Sequence, residues 1–322
     1  MQYRRLGSSG LKLSVISYGS WRYREDPVRV IRAVRFAAKL SGLGFKMEAK
    51  TAAPLKKAAK LLADVPQSRL FDEMLKLLQT GHALASIAQL KQHGLAKGIY
   101  PLLDIVVDRS DEQFVQTALN DTDRRVSEGK PVAPSFLLAC VLWSDVREVW
   151  AQRRAKQPSF PALQDAIDEV FDSRIGDVSG RGKLGADMRE IWMMQPRFEK
   201  RTGSGPWTLV DQARFRAGFD FMRLRANVGE VDEALSDWWQ EFSTASDSVR
   251  EDLLQQVRQE QQKAQRAPRV HSVRRAPKPE AEDPRFRDVE SEGEEGTSAP
   301  AKKRRRRRRK PTGEAGGAPA AE

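Results

Sequence analysis

Cysteine and histidine are scarce in this sequence, with one cysteine and three histidines among 322 residues. One cysteine excludes an intramolecular disulfide framework, and Cys140 lies in the apolar run Phe136–Trp143, which favours a buried, inert thiol and a reducing compartment. No second histidine, cysteine or carboxylate stands at metal-ligand spacing from His82. We therefore interpret His82 as a polar residue at the start of a helix.

Long apolar runs are also missing. No uninterrupted stretch approaches the roughly 20 residues that span a bilayer, and the N-terminus lacks the form of a secretory signal. The sequence therefore predicts a cytoplasmic protein without a membrane span.

Positive charge is abundant, but most of it lies in one place. The net charge is +12, and nine consecutive cations contribute the larger part of it. These cations are Lys302, Lys303, Arg304, Arg305, Arg306, Arg307, Arg308, Arg309 and Lys310. Such a cluster attracts polyanions; if all nine side chains met phosphates of a single strand, log K would fall with log salt at a slope of about −6. A merely solubilising extension is the alternative interpretation.

The segment Glu25–Leu40, EDPVRVIRAVRFAAKL, predicts a helix with two different faces. Asp26 followed by Pro27 is typical of a helix start, and Gly42 of a helix end. Apolar residues recur at spacings of three and four and predict a buried face: Val30, Val34, Ala37 and Ala38, with Ile31 and Phe36 beside them.

A stripe of cations follows the other face of this helix. Arg29, Arg32, Arg35 and Lys39 step by three, three and four residues, which aligns them on one side. Neighbouring like charges weaken a helix by a few tenths of a kcal/mol per pair. The stripe therefore suits an anionic partner, and a solvated face is the alternative.

This helix resembles the one that follows the catalytic head in the nucleotidyltransferase class of bacterial poly(A) polymerases and CCA-adding enzymes. The later segment VPQSRLFDEMLKLLQTGHA resembles the neck of the poly(A) polymerases. The E-D-x-x-R motif implies that Asp26 and Arg29 hydrogen-bond the edge of the incoming base, with Arg32 as a further nucleotide-binding residue. The family implies ATP as substrate, Mg²⁺ as cofactor and RNA as partner.

The same resemblance suggests RNA contacts along the chain. Arg35 and Lys39 extend the basic stripe, Arg214 and Arg216 are candidate phosphate contacts in the body, with Arg223 and Arg225 as further candidates, and the nine-residue tail cluster is the third element. Trp192, Trp207, Trp238 and Trp239 could stack on bases, but core packing is the preferred interpretation.

The N-terminal residues Met1–Trp21 resemble a different family. Their Gly7–Gly10 turn between two short apolar strands is similar to the N-terminal hairpin of aldo-keto reductases, and the resemblance ends there.

From the two resemblances together we predict an all-α class II nucleotidyltransferase neck and body preceded by a short β-hairpin. The expected divisions are a leader at 1–22, a neck at 23–130, a body at 131–266 and a disordered basic tail at 267–322.

The family's metal-binding head has no counterpart in the sequence. Its Gly-Ser element and strand-borne Asp-x-Asp pair are not found, and Asp121 and Asp123 are expected on a helix, where a spacing of two separates carboxylates by about 200°. Arg69 and Glu73, four apart, are expected to form an exposed ion pair. We therefore predict no catalytic residues and no metal ligands in this chain.

Three hypotheses follow for the function. The family implies a polynucleotide adenylyltransferase, which adds AMP from ATP to RNA 3′ ends. The missing head favours an RNA-binding fragment without activity, or one whose head is supplied in trans. A CCA-adding relative is the third hypothesis, because Asp26 and Arg29 alone do not exclude CTP.

Overall fold

A computed structural model describes residues 3–5, 12–14, 23–175 and 182–266. Two three-residue strands, β1 (Tyr3–Arg5) and β2 (Lys12–Ser14), pair antiparallel with Arg4 opposite Leu13. The remaining described segments are predominantly helical. The expected all-α fold with a short N-terminal hairpin is confirmed, and the predicted tail at 267–322 lies outside the described residues.

The first half of the fold contains seven helices among the described residues. They are α1 (Arg29–Ser41), α2 (Ala49–Ala52), α3 (Leu55–Ala58), α4 (Gln67–Leu78), α5 (Ala83–Gln92), α6 (Pro101–Arg109) and α7 (Gln113–Ser127), with a 3₁₀ helix at Ala59–Asp64. The sequence also predicts one helix through Leu62 with Thr51 as its cap, but the structure divides this segment into α2, α3 and the 3₁₀ helix. Thr51 lies buried inside α2 and does not cap a helix.

The second half continues as eight described helices. They are α8 (Pro134–Val141), α9 (Trp143–Arg154), α10 (Ser159–Val170), α11 (Lys183–Phe198), α12 (Gly205–Val210), α13 (Phe215–Asn227), α14 (Glu233–Thr244) and α15 (Asp247–Arg266), with a π-helical turn at Phe171–Ile175. The sequence predicts one helix over 134–153, but the structure has two, because the chain leaves helical geometry at Leu142.

Two hydrophobic clusters hold the helices together. The larger extends from Tyr23 to Trp192 and also includes Phe221 and Leu224, whereas the smaller is built on α11, α12, α13, α14 and α15. The larger cluster includes side chains from both α7 and α8, so it crosses position 130. The division of the chain into neck and body at that position stays a prediction.

Tryptophan side chains anchor both clusters. Trp192 donates a hydrogen bond to the Ala139 carbonyl at 3.2 Å, and Trp239 donates to the Phe198 carbonyl at 2.9 Å. Both rings are fully buried, Trp238 is buried against Trp239, and Trp207 is half-buried against Phe242. Core packing is therefore confirmed for Trp192, Trp238 and Trp239.

Gly218 lies where α13 closely approaches α11. A Cβ atom there would lie 2.5 Å from Sδ and 3.3 Å from Cβ of Met194 on α11, whereas a Cβ at Gly42 meets nothing within 4 Å. We expect Gly218→Val to lower the free energy of unfolding by about 1–3 kcal/mol through overpacking. Gly42 has a φ of −63°, which residues with a side chain readily adopt. Gly42→Val should therefore change the free energy of unfolding by less than about 0.5 kcal/mol. Chemical denaturation measures both, and equal effects would contradict the close approach of α11 and α13.

Candidate nucleotide-reading site

Helix α1 begins later than the sequence suggests. Backbone hydrogen bonds from Arg29 to the Asp26 carbonyl, at 3.1 Å, and from Val30 to the Pro27 carbonyl, at 3.0 Å, form a turn before the helix. Its N-cap is Val28, and no side chain caps it. The proposed capping role of Asp26 is therefore wrong, because its carboxylate is bound by arginines.

Asp26 receives cations from two helices. Its Oδ1 accepts a hydrogen bond from Arg69 of α4 at 2.9 Å. Its Oδ2 lies 3.5 Å from Nε of Arg29 and 3.7 Å from a terminal nitrogen of Arg32. The Oδ2 distances are ion-pair distances longer than ordinary hydrogen bonds. Asp26 is thus held at one oxygen, and its other oxygen faces the two arginines of α1.

Glu73 forms the second anionic point of the site. Its side chain is only 2% exposed, and Oε1 accepts hydrogen bonds from Arg32 at 2.9 Å and from Lys76 at 3.1 Å. Oε2 lies 3.8 Å from Arg35. Burial by itself raises the pKa of Glu73, but the hydrogen bonds and charges of Arg32 and Lys76 outweigh it and lower the pKa below 4.5.

The predicted ion pair between Arg69 and Glu73 is therefore wrong, because each side chain binds other partners. Arg69 binds Asp26, and Glu73 binds α1 while being buried rather than exposed. The sequence did carry a signal for this burial, since Glu73 stands three residues after Leu70 and four before Leu77, within the apolar stripe of α4. A carboxylate in such a stripe requires a cation from a neighbouring helix.

The face carries more cationic than anionic side chains, and its acids are 19% exposed at Asp26 and 2% at Glu73, against 29% at Arg29 and 47% at Arg69. Arg29, Arg32, Arg69 and Lys76 retain exposed surface, whereas Glu73 does not. We call Asp26, Arg29, Arg32, Arg69 and Glu73 the nucleotide-reading site, after the role that the resemblance of α1 implies for Asp26 and Arg29. Nε of Arg29 is buried and has no hydrogen-bond partner among the described residues; its ion-pair partner is Oδ2 of Asp26 at 3.5 Å.

The RNA candidates of α1 lie at the end of the same face. The guanidinium of Arg35 stands 4.8 Å from the ring centroid of Phe36, and Lys39 is exposed. Phe36 itself is 40% exposed, so its expected place beside the buried face is wrong.

The body candidates differ in their accessibility. Arg214 pairs with Asp187 at 2.6 Å, and Arg216 is exposed and pairs with Asp220 at 3.0 Å. Arg225 is buried between Glu230 and the Trp143 ring, which excludes it as a phosphate contact. The cluster from Lys302 to Lys310 lies outside the described residues.

The acid pair on α7 is divided between two roles. Asp121 pairs with Arg124 and Arg125, as expected. Asp123 instead accepts the Ala83 backbone N–H at 2.9 Å and caps α5, although His82 is the residue at the N-cap position. Burial raises the pKa of Asp123 above 3.8. The two carboxylates therefore diverge, which agrees with the rejection of a metal pair.

Cys140 is buried in α8, and burial raises the pKa of its thiol well above 9.0. The expected inert thiol agrees with this burial. Across residues 23–175 and 182–266, no group of three or more His, Cys, Asp or Glu side chains could hold a metal ion. No helix in the described part is long and apolar enough to cross a membrane.

Two family models match the chain. The model described as "Probable RNA and SrmB-binding site of polymerase A" matches residues 44–106, and the model described as "Polymerase A arginine-rich C-terminus" matches residues 155–311. Together they cover more than half of the chain, and the second includes the cluster from Lys302 to Lys310. Neither includes α1.

Curated relatives agree with these matches. Poly(A) polymerase I of Salmonella typhi is 34% identical over 268 residues, which are 80% of this chain and 56% of the relative. Poly(A) polymerase I of Haemophilus influenzae is 35% identical over 253 residues, 76% of this chain and 55% of the relative. The CCA-adding enzyme of Blochmanniella pennsylvanica is 29% identical over 102 residues, 32% of this chain and 25% of the relative. The chain thus spans little more than half the length of the poly(A) polymerases it matches.

Removal of the Glu73 charge should destabilise the packing of α1 on α4. In Glu73→Gln, Arg32 and Lys76 lose a charged acceptor, and we expect the free energy of unfolding at neutral pH to fall by about 1–3 kcal/mol. The matched control is Asp72→Asn, because Asp72 is the neighbouring exposed acid. Urea denaturation of the three proteins measures the difference.

The pH dependence gives the same variant a second readout. Since the folded-state pKa of Glu73 is lowered, its stabilising contribution is present above its unfolded value of about 4.5 and is lost as pH falls through the folded pKa. Glu73→Gln should therefore lose less stability than the parent protein between neutral and acid pH. Parallel curves for the two proteins would contradict the assignment.

Proposed function

We propose, from the premise that the chain belongs to the bacterial poly(A) polymerase family, that it forms the base-selecting and RNA-binding part of a polynucleotide adenylyltransferase. In that reaction ATP donates AMP to an RNA 3′ hydroxyl. The observation that carries the proposal is the nucleotide-reading site, in which Asp26, Arg29 and Arg32 meet on one face and are tied to α4 by Arg69 and Glu73.

The two side-chain types of the site can read one edge of a base. A carboxylate offers only acceptors and a guanidinium only donors. Asp26 and Arg29 together therefore complement an edge that has an amino donor beside a ring-nitrogen acceptor. Adenine and cytosine both present this order, whereas guanine and uracil present a carbonyl acceptor beside an N–H donor. The same two side chains complement guanine and uracil only with their positions exchanged, so we propose that the fixed positions of Asp26 and Arg29 select ATP and CTP, as the family resemblance implies.

The ties to α4 support a fixed orientation of the reading pair. Arg69 holds Oδ1 of Asp26, and Glu73 holds the guanidinium of Arg32 through Nε at 3.1 Å and a terminal nitrogen at 2.9 Å. A guanidinium held at two of its nitrogens keeps its plane defined. A site whose donors are fixed before binding loses less conformational entropy when the base enters.

The extent of similarity to the relatives supports adenine as the base. Similarity to the poly(A) polymerases extends over about 80% of this chain, whereas similarity to the CCA-adding enzyme extends over 32%. We therefore propose ATP as the nucleotide. CCA addition is the second candidate function, and it rests on the base-edge order that adenine shares with cytosine.

RNA is the proposed macromolecular partner. The match of residues 44–106 to an RNA-binding family model and of residues 155–311 to an arginine-rich one supports this partner. Arg35 and Lys39, Arg214 and Arg216, and the tail cluster are the proposed phosphate contacts. Long-range attraction by the cluster would add affinity without sequence preference.

The transfer step itself is not assigned to these residues. The family implies Mg²⁺, but the described side chains offer no ligand group for it. We propose that the 322-residue chain alone binds RNA without extending it, and that a catalytic head, on the same polypeptide or in trans, supplies the acids.

Base selection is tested with Arg29→Ala. The loss of one charged donor should weaken ATP binding and reduce the preference for ATP over GTP by about 1–3 kcal/mol, because that is the discrimination of a good bidentate pair. Arg24→Ala removes an exposed arginine five residues earlier and should leave the preference unchanged. Equilibrium dialysis with all four nucleotides in the presence of RNA measures it. A parent protein that binds the four equally would contradict the base-reading role.

The RNA-binding function is tested with the purified 322-residue chain. We expect salt-sensitive binding of a labelled oligoadenylate, since the proposed contacts are to phosphates, and no ATP-dependent lengthening of it with Mg²⁺ present. Fluorescence anisotropy and a denaturing gel provide the two readouts. Lengthening of the primer would mean that a catalytic site lies within the chain, and salt-independent binding would contradict phosphate contacts.

A further inference from the structure

A second group of arginines, distant in sequence from α1, surrounds a buried acid where α7 meets α13. Asp220 of α13 receives Arg125 of α7 at 2.8 Å, Arg216 at 3.0 Å and Arg223 at 3.6 Å. Arg125 also pairs with Asp121 at 2.8 Å, and Asp121 pairs with Arg124. We call Arg124, Arg125, Arg216 and Arg223, with Asp121 and Asp220 beneath them, the Asp220 cluster.

The cluster has more cationic groups than its acids can neutralise. Four arginines share two aspartates, and a carboxylate has about four lone-pair sites, whereas each guanidinium has five N–H donors. Glu128 offsets part of the charge of Arg124, but it is itself paired with Lys130 at 2.7 Å. Donors that no protein acceptor satisfies must face water or an external anion.

The arginine side chains of the Asp220 cluster are more exposed than its aspartate side chains. The side chains of Arg216 and Arg124 are 64% and 53% exposed, whereas those of Asp220 and Asp121 are 4% and 15% exposed. The acids thus lie beneath and the guanidiniums above, so an approaching molecule meets positive charge. The pairs on α9 and α10 show the opposite arrangement, since Asp165 and Glu169 are more exposed than Arg153.

A purely structural role accounts for only part of the cluster. The Arg125–Asp220 bond is sufficient to join α7 to α13, and Arg216 and Arg223 lie on the same helix as Asp220 and join nothing further. They stand at i−4 and i+3 from Asp220, which places their guanidiniums on one face of α13. Several planar forks directed outward from one face suit phosphate oxygens, which guanidinium binds bidentately.

We infer that the Asp220 cluster is a binding site for the phosphates of single-stranded RNA. The inference deepens the proposed function and rests on it, because it adds Arg124 and Arg125 of α7 to the candidate phosphate contacts Arg216 and Arg223 of α13. Packing supports its place on that path: α1 contacts α5, α5 contacts α7, and α7 contacts α13. A continuous series of packed helices therefore connects the nucleotide-reading site to the cluster.

The test compares two double variants of the full chain. Arg216→Gln with Arg223→Gln removes two guanidiniums of the cluster. Arg153→Gln with Arg189→Gln removes the same charge from arginines whose acidic partners are exposed. Binding of a fluorescein-labelled oligoadenylate is measured by anisotropy over a series of salt concentrations. Two lost contacts should reduce the salt slope by about 1.4 and weaken binding roughly tenfold at about 150 mM salt.

The outcomes separate this inference from the proposed function. A glutamine pair in the cluster that binds like the control pair would overturn the inference while RNA binding by the parent chain still stands. Absence of salt-sensitive binding in the parent chain would overturn both. Retention of the parent slope by Arg216→Lys with Arg223→Lys is the result expected if the cluster acts through charge on phosphate.

Folding is controlled independently. Each variant is compared by its thermal unfolding midpoint, and Arg124→Gln provides a variant whose acidic partners are Asp121 on the same helix and Glu128 at the C-cap of that helix. It leaves Asp220 with its three arginines and should reduce the slope by about 0.7. An unchanged slope in Arg124→Gln, together with an unchanged slope in the glutamine pair, would contradict RNA contact at this face.

Discussion

The attachment of α1 to α4 depends on a carboxylate that is almost closed to water. An ionised Glu73 at 2% exposure carries a desolvation cost, and that cost is offset only because Arg32, Arg35 and Lys76 approach it from two helices. The same contacts determine where the guanidinium of Arg32 stands. Stability and the geometry of the nucleotide-reading site therefore share one interaction, and neither can change without the other.

A common arrangement appears at the two arginine-rich faces. In each, an acid is buried at a contact between helices and arginines cover it from the solvent side, with Glu73 at the first and Asp220 at the second. The acid fixes the guanidiniums, and the surplus of donors faces outward. This arrangement resolves the repulsion expected between like charges on one helix, because each row of arginines has an anion beneath it.

The apolar spacing predicted the buried face of α1, apart from Phe36, and the spacing of Leu70, Met74, Leu77 and Leu78 gives that of α4, because amphipathic periodicity is local information. It did not predict the partners of the charged side chains. Asp26 has the position of a helix cap, but the arginine of α4 that takes its carboxylate is 43 residues away. The division of the expected 134–153 helix at Leu142 was also beyond sequence reasoning, since every residue there is apolar and periodicity is absent. Long-range ion pairs and local breaks in a buried helix depend on tertiary packing, which spacing does not encode.

The burial of Cys140 makes its thiol a probe of local unfolding. The thiolate is the nucleophile that attacks a thiol reagent, and both the raised pKa and the enclosure in α8 keep that species rare and out of reach in the folded chain. Modification must therefore wait for the packing around α8 to open, and the labelling rate becomes a measure of how often it does. Cys140 is the only cysteine of the sequence, so all thiol labelling comes from this residue. The labelling rate therefore reports the transient opening of the larger hydrophobic core.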